Sequence, residues 1–186
     1  MRNVPNLLSI LRLVLSPYVL LLAYRGQEKE SAVLFFLLAL TDALDGTIAR
    51  LFKLQSLLGK FLDPIADKFL LFFGLLSVTF YTEIRASSSV LYVLVIRDLF
   101  LIAGSLALRR YGFVPEPSVS GKMTTFILSV TVVVGFLANL YPSKGALNLF
   151  GVLQFVSLAL IVVSGIDYGV RGLIFLISKR IIERRQ

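Results

Sequence analysis

Apolar runs of about 20 residues, the length that crosses a bilayer as a helix, recur from one end of the 186-residue sequence to the other. In hydrocarbon every backbone N–H and C=O must be satisfied within the chain, so such runs leave the helix as the spanning element. Taken in order they give six segments, 3–24, 31–51, 57–81, 88–108, 122–140 and 146–177, the last long enough to protrude. The expected fold is an all-α integral membrane protein, a single domain over residues 1–186. It has six transmembrane helices, and its N-terminal segment starts along the interface. Pro5 suits a helix start, and Ser16–Pro17 marks a kink. Arg12 and Pro17 interrupt the first run and no small-residue cleavage site follows, so that run is expected to be mature structure and not a signal peptide.

Six spans place both termini on one side. That side carries Arg2, Arg50, Lys53, Lys60, Arg109, Arg110, Lys122, Lys179, Arg180, Arg184 and Arg185, against Arg25, Lys29, Arg85 and Lys144 on the other. The excess of basic residues predicts both termini in the cytoplasm, in a cytoplasmic (inner) membrane, with Arg25–Glu30 as a polar loop on the far side. The net charge of +8 then reflects cytoplasmic loops and contact with anionic lipid. Nucleic acid is not an expected partner, because the basic residues sit at segment ends and form no domain of their own.

One stretch breaks the apolar pattern. Thr41 to Lys68 holds Asp42, Asp45, Asp63 and Asp67. Carboxylates at bilayer depth are costly, rare and usually functional. Asp42 and Asp45 are i, i+3 on a helix, and Asp63 and Asp67 are i, i+4, so each pair shares a face. Gly46 and Ala49 lie on the first face and Gly59 on the second. Two antiparallel helices joined through 52–56 would bring the faces together at the cytoplasmic end. Four close carboxylates need cations to stay ionised. The chain has no Cys and no His, which removes thiol and imidazole chemistry and Cys/His zinc sites. Oxygen ligands alone favour Mg²⁺, Mn²⁺ or Ca²⁺, and a pair of such ions suits displacement at phosphorus. The small residues leave room for a bulky ligand, with Arg50 and Lys60 near its phosphates. The plain alternative is structural ion pairing with Lys60, Lys68, Arg50 and Arg97. A cation path is a remote alternative, since it would spread acids through the membrane depth and show an inverted repeat.

The spacing Asp42-x2-Asp45-Gly46-x2-Ala49-Arg50-x8-Gly59-x3-Asp63-x3-Asp67 resembles, position for position, the signature of the CDP-alcohol phosphotransferases. The opening NVPNLLSILR is similar to the start of the phosphatidylglycerolphosphate synthase and eukaryotic-type cardiolipin synthase branches, and similarity thins after about Thr125. The resemblance implies an enzyme that takes CDP-diacylglycerol, releases CMP and joins the phosphatidyl group to an alcohol. It implies two divalent ions, Mg²⁺ or Mn²⁺, on Asp42, Asp45, Asp63 and Asp67, with Asp67 also the general base. Gly46, Ala49 and Gly59 would make room for the cytidine nucleotide, Arg50 would touch its diphosphate, and Asn6 would hold the nucleotide end. It further implies a homodimer.

A phosphorylated acceptor calls for cations beside the site. Arg97 and Lys122 are the leading candidates for its phosphate, then Arg109 and Arg110. Arg97 can instead pair with Asp98, and Arg109 and Arg110 can serve as positive-inside anchors. The glycerol 3-phosphate branch fits the compact chain and its N-terminal motif. The Arg97-Asp98 pair is more like the branch that uses phosphatidylglycerol, and inositol phosphate is a further alternative. Asp167 and Arg171, at i, i+4, read as a structural pair.

Overall fold

A computed structural model describes the backbone of residues 4–51, 57–112 and 118–183, and the side chains of 8–41, 62–112 and 118–178. These residues form α1 (Val4–Tyr24), α2 (Glu28–Leu51), α3 (Leu57–Phe80), α4 (Ser88–Arg109), α5 (Val119–Leu140) and α6 (Lys144–Glu183), with no strand among them. Among the described residues, α4, α5 and 144–178 of α6 are long and apolar enough to cross a membrane, and Leu8–Tyr24 is a shorter apolar stretch. The all-helical expectation holds. At 40 residues, α6 is about 60 Å long, twice the roughly 30 Å of a hydrocarbon core, so it does exceed the bilayer.

Three helices begin earlier than the hydropathy pattern indicates, α6 by two residues, at Lys144, and α2 and α5 by three. The polar loop expected at 25–30 ends at Gln27. Glu28 and Glu30 form the first turn of α2, where acidic side chains complement the helix dipole. Likewise α5 starts at Val119 and not at Lys122, because Ser118 caps it: the Gly121 N–H donates to Ser118 Oγ at 3.0 Å.

The chain divides into two compact units, residues 1–86 with 132–150, and 87–131 with 151–186. In the first unit α1 packs on α2 and α3. Its buried stripe is Ser9, Arg12, Ser16, Val19 and Ala23, each at most 2% exposed, at spacings of three and four that keep one helix face turned inward. The helix runs through Pro17, with Ser16 Oγ donating to the Arg12 carbonyl at 2.6 Å. It ends in a Schellman turn. Gln27 N–H reaches Leu22 O and Gly26 N–H reaches Ala23 O, both at 2.9 Å, and Gly26 takes φ +75°, which glycine adopts without strain. Ser31 Oγ then donates to Val19 O at 2.8 Å, fixing the start of α2 on α1. Further along, the Phe35 ring lies so close to Gly74 that a Cβ there would come within 2.5 Å of it, and it stacks on Phe136 at 5.1 Å. The loop after α3 is clamped from two sides. The Asn139 amide exchanges bonds with Ile84 N–H and C=O at 2.8 and 3.0 Å, and Glu28 accepts the Glu83 N–H at 3.1 Å.

In the second unit, polar ties join α5 to α6. Thr124 Oγ1 donates to Leu160 O at 3.0 Å, and Thr131 and Ser157 share a hydroxyl bond of 2.8 Å. All three hydroxyl residues are buried. Between helices in lipid, where apolar burial offers no drive, such bonds and close packing supply the association.

Glu28 precedes the apolar run of α2. Burial, then repulsion from Glu83, pushes its carboxyl above the usual carboxylate range, against the pull of the Glu83 N–H. A folded-state pKa raised above the unfolded one means stability is fully present below the unfolded value and is lost as pH rises through the folded one. Glu28→Gln keeps the acceptor oxygen and removes the charge. Thermal unfolding in detergent should show the variant more stable than wild type near pH 7, with the difference gone near pH 4.

Candidate active site

Asp63, Ala66, Asp67 and Leu70 repeat at i, i+3, i+4 and i+7 on α3, and Ala66 and Leu70 are buried. That face is met by the polar stripe of α1. Arg12, 1% exposed, donates from a terminal guanidinium nitrogen to Asp67 Oδ1 at 2.6 Å. Ser9, one turn earlier, donates from Oγ to Asp63 Oδ1. Each described acid of α3 thus receives a polar partner from α1. The pair is asymmetric, because the Asp67 side chain is 45% exposed. Its cation is sealed in the helix contact, while its carboxylate reaches the rim.

Among the described residues no three Asp, Glu, His or Cys side chains form a metal cluster, and Asp63 and Asp67 are half of the expected four. The other two, Asp42 and Asp45 on α2, lie outside the described residues as far as side chains go, as do Gly46, Ala49 and Arg50 on α2, Gly59 and Lys60 on α3, and Asn6 on α1. The connection 52–56 lies outside them altogether. What is described suits a hard cation. Two carboxylates stand one turn apart on one face, and the sequence holds no thiol and no imidazole.

In the second unit Arg97 lies in the middle of α4 with its side chain 11% exposed. It donates to Asp98 Oδ1 at 2.6 Å, the pairing that the sequence offered as its alternative role. The guanidinium also lies against the start of α5. A Cβ on Gly121 would stand 3.5 Å from one of its terminal nitrogens. Its Nε is buried with no hydrogen-bond partner among the described residues. Lys122, next in sequence to Gly121, is exposed. The start of α5 is anchored by Ser120, which donates to Asp167 Oδ2 at 2.6 Å, and Asp167 also accepts Arg171 Nε at 3.0 Å. The expected Asp167–Arg171 pair is therefore present, and it holds α5 as well. Arg109 and Arg110 are exposed at the end of α4, about 18 Å along the helix from Arg97. The structure brings Arg97 to the start of α5 and keeps these two arginines apart from it.

Ser9 and Arg12 were not singled out as site residues from the sequence. The signal was there: a cation inside an apolar helix calls for an acid, and Ser9, Arg12 and Ser16 share one face.

The profile of the CDP-alcohol phosphatidyltransferase family matches residues 2–166. A protein of Aquifex aeolicus named CDP-diacylglycerol–glycerol-3-phosphate 3-phosphatidyltransferase is 43% identical over 170 residues, covering 91% of this chain and 96% of its own. A probable phosphatidylglycerophosphate synthase of Mycobacterium tuberculosis is 32% identical over 92% of this chain and 82% of its own. A rat cardiolipin synthase (CMP-forming) is 38% identical, but over 64% of this chain and 39% of its own.

The asymmetry of the Arg12–Asp67 pair has a measurable consequence. Asp67→Ala removes a carboxylate from a sealed guanidinium and should cost on the order of 3 kcal/mol of stability. Arg12→Met leaves a half-exposed acid that water can solvate, and should cost clearly less. The double variant should recover part of the Asp67→Ala loss. Unfolding of the three proteins in detergent would test this, and equal losses from the two single variants would contradict it.

Proposed function

The chain belongs to the CDP-alcohol phosphatidyltransferase family, and from that premise we propose that it transfers the phosphatidyl group of CDP-diacylglycerol to glycerol 3-phosphate. The products are CMP and phosphatidylglycerol phosphate. The observation that carries the choice of acceptor is coverage: the relative named for this reaction aligns with 91% of the chain and 96% of itself.

On this reading Asp42, Asp45, Asp63 and Asp67 hold two Mg²⁺ or Mn²⁺ ions, which when bound offset the negative charge of the reacting phosphates. Gly46, Ala49 and Gly59 leave space for the cytidine nucleotide, with Arg50 at its diphosphate and Asn6 at its far end. The acceptor hydroxyl attacks the phosphorus that carries the diacylglycerol. Its proton passes to Asp67 as the P–O bond to CMP breaks and CMP leaves with the bonding pair. Arg12 keeps the Asp67 carboxylate in place through the 2.6 Å contact, and Ser9 does the same for Asp63. The acceptor phosphate is held by Arg97, whose Nε is an unused donor, and by Lys122. Arg109 and Arg110 act as anchors at the membrane surface. The protein is proposed to work as a homodimer in the cytoplasmic membrane, with six spans, both termini and the site on the cytoplasmic side.

One observation favours a second reading. Arg97 is already paired with Asp98, which suits an acceptor whose phosphate carries less charge, such as the diester of phosphatidylglycerol. Purified protein given CDP-diacylglycerol with glycerol 3-phosphate, phosphatidylglycerol, inositol phosphate, inositol or serine in separate reactions should form product with glycerol 3-phosphate, namely phosphatidylglycerol phosphate. Turnover of phosphatidylglycerol with none of glycerol 3-phosphate would replace the first reading by the second. Chelation should stop CMP release, and Mg²⁺ or Mn²⁺ should restore it. Asp67→Asn keeps an oxygen for Arg12 but loses the base, so the rate should fall by about 10²–10⁴-fold while the nucleotide still binds. Substantial surviving turnover would remove Asp67 from that role.

A further inference from the structure

Between α4 and α6 of the second unit lies an apolar cavity of about 270 Å³, walled by Phe100, Leu108, Leu173 and Leu176 with Gly104 and Gly169 at its floor. The two helices run side by side in the same direction along it. Arg97 lies by Gly165, Phe100 by Gly169 and Leu108 by Gly172. Both glycines are open. A Cβ on Gly104 would meet nothing within 4 Å, and one on Gly169 only the edge of Phe100 at 3.9 Å. Glycine is the poorest helix former after proline, and the described residues give no packing reason for it at these positions. Both helices are apolar and long enough to span a membrane. Phe100 and Leu173 stay more than half exposed, so the cavity opens where lipid would be. At its Leu108 end stand Arg109 and Arg110, both exposed, and Tyr111, over whose ring the Arg110 guanidinium lies at 5.3 Å.

We propose that this groove binds one acyl chain of an anionic phospholipid of the surrounding bilayer, with the net negative head group at Arg109 and Arg110. The charge at the mouth decides between this occupant and a second copy of the chain. Two copies inserted in the same sense would meet about an axis along the membrane normal. Their groove faces would then bring Arg109 and Arg110 against their own counterparts, a like-charge contact that disfavours pairing. An anionic head group meets the same arginines with attraction, and an apolar chain fills the trough below them.

The test needs neither donor nor metal and does not depend on the proposed reaction, because its probe is neither substrate nor product of it. The full chain is reconstituted with phosphatidylserine and phosphatidylcholine of matched acyl chains, and retained lipid is counted by native mass spectrometry. Wild type should prefer phosphatidylserine by about fivefold for each arginine at the mouth. Gly104→Leu with Gly169→Leu fills the trough and should erase the preference. Gly151→Leu, at an equally open glycine elsewhere on α6, should leave it unchanged and so controls for the added bulk. Arg110→Gln should lower the preference about fivefold. Equal retention of the two lipids by wild type, or an undiminished preference in the filled variant, would overturn the proposal. So would efficient disulfide cross-linking of two copies through Ser105→Cys, which would assign the groove to a second copy.

Discussion

The contact on which the first unit depends is the ion pair between Arg12 and Asp67. A guanidinium 1% exposed inside an apolar helix is tolerable only beside a carboxylate. The pair therefore sets the register of α1 against α3, since a slip of one residue would carry Arg12 off the inward face. Once the register is set, Ser9 falls beside Asp63 and Ser16 back-bonds within α1, so both hydroxyls of the buried face find acceptors. The pair also links stability to chemistry. The carboxylate that neutralises Arg12 is the one proposed to take the acceptor's proton, and its 45% exposure is what leaves it within reach.

α1 is built inside out relative to a soluble helix. Its buried stripe is Ser9, Arg12, Ser16, Val19 and Ala23, while Val14 is 67% exposed and Ile10 and Leu11 nearly half. In lipid this is the economical arrangement, because apolar side chains lose nothing by facing hydrocarbon and small or polar ones allow helices to approach and bond. The same rule operates in the second unit, where Thr124, Thr131 and Ser157 are buried between α5 and α6 and Ser120 reaches Asp167.

That inversion explains what was legible in the sequence. Helix number and order followed from apolar length alone. Helix starts did not, because Ser118 as a cap and Glu28–Glu30 as a first turn are polar and look like loop to a hydropathy count. Asp63 and Asp67 stood out because acids are rare in such a setting and their spacing names a face. Their partners did not, since Arg12 lies 55 residues from Asp67 and read as an interruption of an apolar run. A heptad count of small and polar residues, Ser9, Arg12, Ser16, would have found the buried face that a hydrophobic count assigns to the opposite side.

On the proposed reading the choice of acceptor falls to the second unit, and there the electrostatics favour division of labour. One arm of Arg97 is taken by Asp98 at 2.6 Å, so its charge is largely matched before any phosphate arrives. What it still offers is direction, through a buried Nε with no acceptor among the described residues. Lys122 is exposed in the first turns of α5, where the helix N-terminus adds positive potential. On the proposed reading Lys122 and the helix end supply the net charge that a phosphate monoester requires, and Arg97 orients it. Gly121 keeps the helix start in place: a side chain there would press on Ser118 Oγ at 3.0 Å and loosen the cap, while it would only touch the guanidinium at 3.5 Å.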